Sequence, residues 1–450
     1  MKPLALIGNV ARWGVRKALC FYYPRIEIEG RERVPKTGAV LFVANHPNSL
    51  MDPALIGYTV GRPVHFFAKA PLFDVPVFGS LMSALGMVPA YRGQDDKAQV
   101  RKNLETLDVG AKYLQKGEAV GIFPEGKTHD REGVEQVRSG AARIASAAVQ
   151  GGAAFVIVPL GLNYERKERF RSSIWVRVGE PIDAAKIFRD LPDEERKAMR
   201  VLTEKIDSQL KQVVIHLQED RWQPMLDELD VLLPATVEEK SDPISNLRQR
   251  KRLADAINYF LANDRSRAEE MTAATEQHRT QLAAHGLTIS SASVRMSGPA
   301  LAWKLTKETL WLFPGLLPFI AGTLHHIVPF LITRTIVHFI KYPGRVTTAQ
   351  NRLMIGIPIY GLWYAVVWVF IAHHHGAWFA WLWTVLMPFA GVEVLHYAWR
   401  VKHAGRAWWS ELRMLTCRQE LLRLRREQVV LRNQLELLRT QYLAAQSAAV

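Results

Sequence analysis

From Leu353 to Val392 the chain runs forty residues without a formally charged side chain, and Leu310 to Thr333 does so for twenty-four. About 20 apolar residues let a helix span a bilayer, so the longer stretch has room for two. His373-His374-His375-Gly376 divides it near the middle and reads as a polar turn, which predicts membrane helices over 353–372 and 377–396. Trp363, Trp368, Trp378, Trp381 and Trp383 lie toward that turn, and Trp399, Trp408 and Trp409 toward the far end, positions that suit aromatic belts. Soluble cores seldom run so far without charge, which makes a buried hairpin the weaker reading. The turn carries no Lys or Arg. Arg334, Lys341, Arg345 and Arg352 precede the hairpin, and Arg400, Lys402 and Arg406 follow it. Basic flanks mark the cytoplasmic side, so the turn is expected outside and the rest of the chain inside. In the shorter stretch, Pro314, Pro318 and Pro329 would interrupt a straight helix, and both flanks are basic. We therefore expect 310–333 to re-enter or lie in the interface, with His325-His326 forming a bend packed against the hairpin.

Charge and cysteine content narrow the rest. Cys20 and Cys417 are almost 400 residues apart, which rules out a disulfide framework or a Cys-based zinc site. A net charge of +15 (58 basic against 43 acidic residues) calls for an anionic partner. It is dispersed rather than gathered into one basic run, and beside two membrane stretches it points to a phospholipid surface and away from nucleic acid. Near the N-terminus, Leu4, Ile7, Val10, Val15, Ala18 and Leu19 recur at helical spacing with Arg12, Arg16 and Lys17 among them. The basic residues argue against a signal peptide. The pattern describes an amphipathic helix over 1–24, and fits an interfacial and a core-facing placement equally. At the other end, Leu421, Leu424, Leu431, Leu435, Leu438 and Tyr442 fall on alternating three- and four-residue steps, with Gln428 in the seam. That heptad register over 411–445 predicts a coiled coil, through self-association or an antiparallel helix contact; a long helix packed on its own protein is the plainer alternative.

The front half is built differently. Short β-rich runs at Ile26–Glu29, Val40–Ala44, Val64–Ala68, Ala119–Phe123, Phe155–Leu162 and Ile174–Val178 alternate with helical patterns at Asp95–Lys116 and Ser139–Gln150. Strands alternating with helices predict a layered α/β domain over 25–215. A charged, helical accessory region follows over 216–300, and the membrane region covers 301–405.

Four blocks at strand ends carry the chemistry. Val43–Pro53 places His46 at a strand's carboxyl edge and Asp52 at the start of a helical stretch. An imidazole can act as general base near neutral pH when a carboxylate orients it. Gly86–Arg92 ends in an arginine. Gly121–Asp130 is a strand running into Phe-Pro-Glu-Gly-Lys, and Val156–Gly161 contains Val-Pro. Ligands in open α/β sheets bind beyond the carboxyl ends of strands, and an Arg fork with a Lys suits a phosphate. His129-Asp130 are adjacent at a turn and do not make a second dyad.

In this order the four blocks resemble the glycerolipid acyltransferases of the lysophosphatidate/glycerol-3-phosphate acyltransferase superfamily. The resemblance rests on Asn45/His46/Asp52, Gly86–Arg92, Phe123–Gly126 and Val158/Pro159, and covers about 40% of the chain. It implies a glycerol-3-phosphate acyltransferase-like α/β domain followed by helical, membrane and coiled-coil segments. It also implies transfer of an acyl group from acyl-CoA or acyl-carrier protein to a glycerol-phosphate acceptor, with no metal and no cofactor. His46 would be the base and Asp52 its orienting group. Asn45, Arg92, Glu125 and Gly126 would bind substrate, with Lys127 as a second phosphate contact. Five residues, not four, separate His46 from Asp52, and the turn reads Glu-Gly-Lys-Thr-His-Asp. Both features look like the fungal-type branch that acylates glycerol-3-phosphate and dihydroxyacetone phosphate, with lysophosphatidate as the alternative acceptor. A non-catalytic coiled-coil membrane tether is the competing reading from another class; acyl thioester consumption separates the two.

Overall fold

The computed structural model describes residues 3–76, 78–90, 100–233, 242–289, 303, 306–307, 309–310, 312–340, 344–416 and 418–448. Strand β2 (Ala39–Ala44) is apolar throughout and buried at every position. A strand buried on both faces belongs inside a parallel sheet covered by helices. β2 lies at the centre of such a sheet, with β1 (Arg25–Glu29), β3 (His65–Lys69), β4 (Val88–Ala90), β5 (Ala119–Ile122), β6 (Phe155–Tyr164) and β7 (Ser173–Val178). The order is β1-β7-β6-β2-β5-β3-β4, and every pairing is parallel except β6 with β7.

Helices α1 (Pro3–Tyr22), α2 (Met51–Val60), α3 (Phe78–Ala84), α4 (Val100–Gln115), α5 (Gly140–Gln150), α6 (Ala184–Asp190) and α7 (Glu195–Val213) complete this layer. Leu41, Val43, Val120 and Ile157 of the sheet pack against Ala141, Ile144 and Ala145 of α5 and Leu202, Ile206 and Leu210 of α7. Each large aliphatic side chain so buried contributes about 1.5–3 kcal/mol. The strands fall where the alternation places them, with one shift that matters later: β6 continues two residues past Leu162, to Tyr164.

The chain divides into two compact units. The first holds 1–220, 237–251 and 344–350, and the second 221–236, 252–343 and 351–450. The first unit therefore exceeds the expected 25–215 at both ends. α1 belongs to it, with Leu19 and Tyr22 buried while Ile7, Val10, Trp13 and Phe21 remain exposed. The helix is core-facing at one end and apolar on its outer face at the other. The start of α9 (Pro243–Asn263) belongs here too: Arg250 grips Glu132 through two bonds of 2.9 and 2.7 Å, and Arg248 pairs with Glu27.

The second unit is helical: α8 (Gln223–Leu232), the rest of α9, α10 (Arg265–Ala284), α11 (Leu312–Phe339), α12 (Arg345–His375) from residue 351 onward, α13 (Ala377–Thr416) and α14 (Arg418–Ala448). Gly376, with φ of +87°, makes the expected turn between α12 and α13. Among the described residues, three segments are long and apolar enough to cross a membrane: Phe313–Phe339, Arg345–His375 and Ala377–Lys402. This corrects the expectation that prolines break 310–333, since α11 runs unbroken through Pro318 and Pro329. Proline at 329 cannot donate to the carbonyl of His325, and the Trp363 indole N–H supplies that bond at 2.8 Å instead. His325 is buried among Trp363, Tyr364 and Trp383, and His326 Nε2 bonds the Met387 carbonyl at 2.9 Å.

The heptad residues have an intramolecular role. Leu424, Leu431, Leu435, Leu438 and Tyr442 are buried by the chain itself. Tyr442 packs on Tyr259, and the seam residue Gln428 donates to the Ile289 carbonyl at 3.3 Å. The seam expected to drive self-association is thus already covered. We predict that Leu431→Asp and Leu435→Asp lower the melting temperature in detergent, by burying an unpaired charge, and leave the oligomeric state unchanged. Light scattering beside thermal unfolding checks this; a changed oligomeric state at constant melting temperature would return the seam to an interface between copies.

Candidate active site

The register of the central strands builds the site. Val43 lies beside Ile122 of β5, and Ala44 beside Leu160 of β6. The residues just beyond β2 therefore emerge between the ends of β5 and β6. His46 stands there, its ring stacked on Phe123 at 3.9 Å between centroids and 9° between planes. Its Nδ1 lies 2.9 Å from Asp52 Oδ2. Asp52, in the first turn of α2, has a fully buried side chain and also accepts from the Asn48 amide at 2.7 Å and the Tyr164 hydroxyl at 2.7 Å. A carboxylate can only accept, so the Nδ1 hydrogen of His46 donates to Asp52, and Nε2 is the ring nitrogen left for another partner. Burial, then the Asp52 charge, hold the Tyr164 hydroxyl well above the usual phenol range, so it remains a donor.

The five-residue spacing is resolved at Ser49, whose φ of +45° is left-handed. That twist takes up the extra residue and lets Asp52 reach His46.

Glu125 is buried beneath the histidine. Its Oε2 accepts from the His46 amide at 3.1 Å and from His129 Nε2 at 2.9 Å, and its Oε1 accepts from the Glu135 amide at 3.1 Å. Glu125, expected at the acceptor, thus fixes the backbone of His46. Asn45, also expected at the substrate, likewise has backbone partners. Buried, it donates to the Leu162 carbonyl at 3.1 Å and accepts from the Leu162 amide at 2.8 Å, extending the β2–β6 ladder with a side chain. Gly126 closes the turn with φ of +73°, its amide bonded to the Phe123 carbonyl at 3.0 Å. Lys127, expected as a phosphate contact, is half exposed and ion-paired with Glu135 at 2.7 Å. Arg92 lies outside the described residues. Asp130 pairs with Lys167 at 2.9 Å.

Sequence reasoning missed three contributors. Tyr164 was hidden because β6 was expected to end at Leu162. Phe123 was read only as part of a motif, although its ring stacks on that of His46. Lys69, exposed at the carboxyl end of β3, is a cation on the same sheet edge as His46. Below the Glu135 turn, His216 Nδ1 accepts from the Val134 amide at 3.3 Å.

The Acyltransferase family model matches residues 25–163. The chloroplastic 1-acyl-sn-glycerol-3-phosphate acyltransferase of Arabidopsis thaliana is 30% identical over 151 residues, 33% of this chain and 38% of that protein. Glycerol-3-phosphate O-acyltransferase 2 of Saccharomyces cerevisiae is 33% identical over 111 residues, 24% of this chain and 15% of the yeast protein. The 1-acyl-sn-glycerol-3-phosphate acyltransferase of Bacillus subtilis is 26% identical over 190 residues, 42% of this chain and 87% of the bacterial one. The chain thus spans less than half the length of the Arabidopsis and yeast relatives.

Burial pushes the His216 imidazole down from 6.5 to about 4, with the Lys211 charge adding to the effect. Below pH 6.5 the unfolded chain binds a proton there that the folded chain takes up only near pH 4. Stability should therefore fall as pH drops through that window, by on the order of 2–3 kcal/mol from this group. We predict that His216→Gln flattens the pH dependence of denaturant midpoints in that range; an unchanged slope would show that His216 is not the titrating group.

Proposed function

We propose, from the Acyltransferase match over residues 25–163 and the similarity to glycerolipid acyltransferases, that the protein moves a fatty acyl group from acyl-CoA or acyl-carrier protein to a hydroxyl of glycerol-3-phosphate or dihydroxyacetone phosphate. The observation that carries this reading is the His46–Asp52 pair, set at the carboxyl edge of the sheet. The acceptor hydroxyl gives its proton to Nε2 as its oxygen attacks the thioester carbonyl. The C–O bond forms, the C–S bond breaks, and the imidazolium returns the proton to the departing thiolate. Asp52 remains ionised and supports the imidazolium. Arg92 and Lys69 are the phosphate ligands in this scheme, since Lys127 is paired with Glu135. Lysophosphatidate remains the second acceptor to test, because the Arabidopsis and Bacillus relatives carry that name.

His46→Ala should cut turnover at least ~100-fold without loss of fold, and Asp52→Asn should impair it as the histidine loses its orienting charge. Thioester consumption with glycerol-3-phosphate, dihydroxyacetone phosphate and lysophosphatidate in parallel is the measurement. Near-normal turnover by purified His46→Ala would remove the dyad from the mechanism.

The membrane arrangement follows from chain connectivity. Residues 344–350 pack in the same unit as the α/β domain, so both lie on one side of a bilayer. Between residues 251 and 344 the only candidate span among the described residues is α11, and a single crossing would put 344–350 on the opposite side. This supports an unbroken α11 that lies along the membrane rather than crossing it, with α12 and α13 crossing as a hairpin. The basic flanks of that hairpin favour a cytoplasmic α/β domain. In a variant without Cys20 and Cys417, cysteines at Glu270 and Gly344 should label only after permeabilisation, and one at His374 from outside. Opposite labelling of Glu270→Cys and Gly344→Cys would establish that α11 crosses.

A further inference from the structure

The loop between His46 and Asp52 satisfies most of its amides internally. Asn48 donates to Asp52, Met51 to the Asn48 carbonyl at 3.0 Å, and Asp52 to the Ser49 carbonyl at 3.2 Å. The Leu50 amide instead donates to Gln350 Oε1, 300 residues away in sequence, at 3.1 Å. Leu50 is the N-cap of α2, and Gln350 accepts its amide, one of the orphan donors at the start of the helix that carries Asp52, as the third residue of a capping box would. The residues around Gln350 are anchored as well. Ala349 is fully buried, and Arg345 pairs with Glu168 at 3.4 Å and approaches Asp130 to 4.0 Å. Asp130 holds Lys167, whose Nζ also donates to the His129 carbonyl at 3.2 Å. The first turns of α12 thus touch both sides of the site: the loop bearing the dyad, and the turn whose Glu125 fixes the His46 backbone.

We propose that Gln350 is a positioning residue for the His46–Asp52 pair, and that turnover requires residues 344–350 to be docked on the α/β domain. The left-handed Ser49 is what makes the loop need an external hold. Without an acceptor for the Leu50 amide, residue 49 can relax to an ordinary conformation, and the first turn of α2 shifts with it. A base displaced by a fraction of an ångström loses much of its effect while substrate affinity, set by groups on other strands, changes little. The kinetic half of the proposal rests on the acyltransferase reading; the structural half does not.

The test uses the full chain in detergent. Gln350→Ala and the near-isosteric Gln350→Met both remove the acceptor, whereas Gln350→Glu keeps an oxygen for the Leu50 amide. Hydrogen exchange over residues 47–51 should rise several-fold in the first two variants and stay near wild type in the third, with β2 unchanged in all. With an acceptor that the wild type acylates, kcat should fall about 5- to 50-fold in Gln350→Ala and Gln350→Met, within the loss that misplacing a general base can produce. KM for donor and acceptor should stay within about twofold, and Gln350→Glu should recover most of kcat. Unchanged exchange in Gln350→Met would overturn the clamp, as would wild-type kcat despite raised exchange. If the wild type acylates none of the three acceptors, the proposed function fails by itself, and hydrogen exchange still decides whether Gln350 holds the loop.

Discussion

A carboxylate with no exposed surface, Asp52, is the constraint on which the site depends. An ionised side chain removed from water costs several kcal/mol unless its lone pairs are met, so the surrounding chain must deliver donors to it. Three arrive from different places: His46 Nδ1 from the end of β2, the Asn48 amide from the intervening loop, and the Tyr164 hydroxyl from the end of β6. Satisfying one buried charge thereby fixes the relative placement of two central strands and the first turn of α2. The same bonds select the histidine tautomer. Asp52 also sits at a helix N-terminus, where the backbone dipole favours negative charge.

The parts of this arrangement that follow from local pattern were legible in the sequence. Val40–Ala44 is apolar at every residue, and only a central parallel strand buries both faces, so His46 had to emerge at a carboxyl edge. What could not be read was how far each strand continues and where each polar side chain turns. Tyr164 contributes because β6 extends alongside β7 through Asn163, whose side-chain amide also ties to Val213 and Ile215. The resemblance implies a substrate role for Asn45 and Glu125, and no sequence pattern shows that both also bond the backbone, where amides at the ends of diverging strands have no ladder partner and must find one. No periodicity encodes a contact such as Leu50 with Gln350, which joins residues 300 positions apart.

In the membrane region, composition was informative and prolines misled. Pro329 was expected to end a helix because it removes a donor, yet the helix persists where another side chain restores the bond. Gly322 and Gly391 extend the same logic. A Cβ at Gly322 would lie 2.6 Å from the Ala390 carbonyl oxygen, and one at Gly391 would lie 2.5 Å from the His326 ring. Small residues bring α11 and α13 together closely enough for His326 to reach the Met387 carbonyl. Apolar length alone therefore defines candidate spans, while the side chains between helices decide whether a proline is tolerated.

Electrostatic accounting within the α/β domain bears on how an anionic acceptor could be admitted. Two buried carboxylates, Asp52 and Glu125, lie against the same histidine and would repel a phosphate if their charge were unscreened. Each is surrounded by donors, and the local dipoles of those N–H and O–H groups oppose the carboxylate field. At the rim, Lys127 and Glu135 largely cancel one another. Lys69 on the edge of β3 has an exposed side chain, and Arg138 lies beside Gly126, its Cδ 3.5 Å from where a Cβ at that glycine would stand. The negative groups are thus inside and neutralised, whereas cations stand outside and exposed. That polarity lets one site keep two carboxylates beside its histidine and still present cations at its rim.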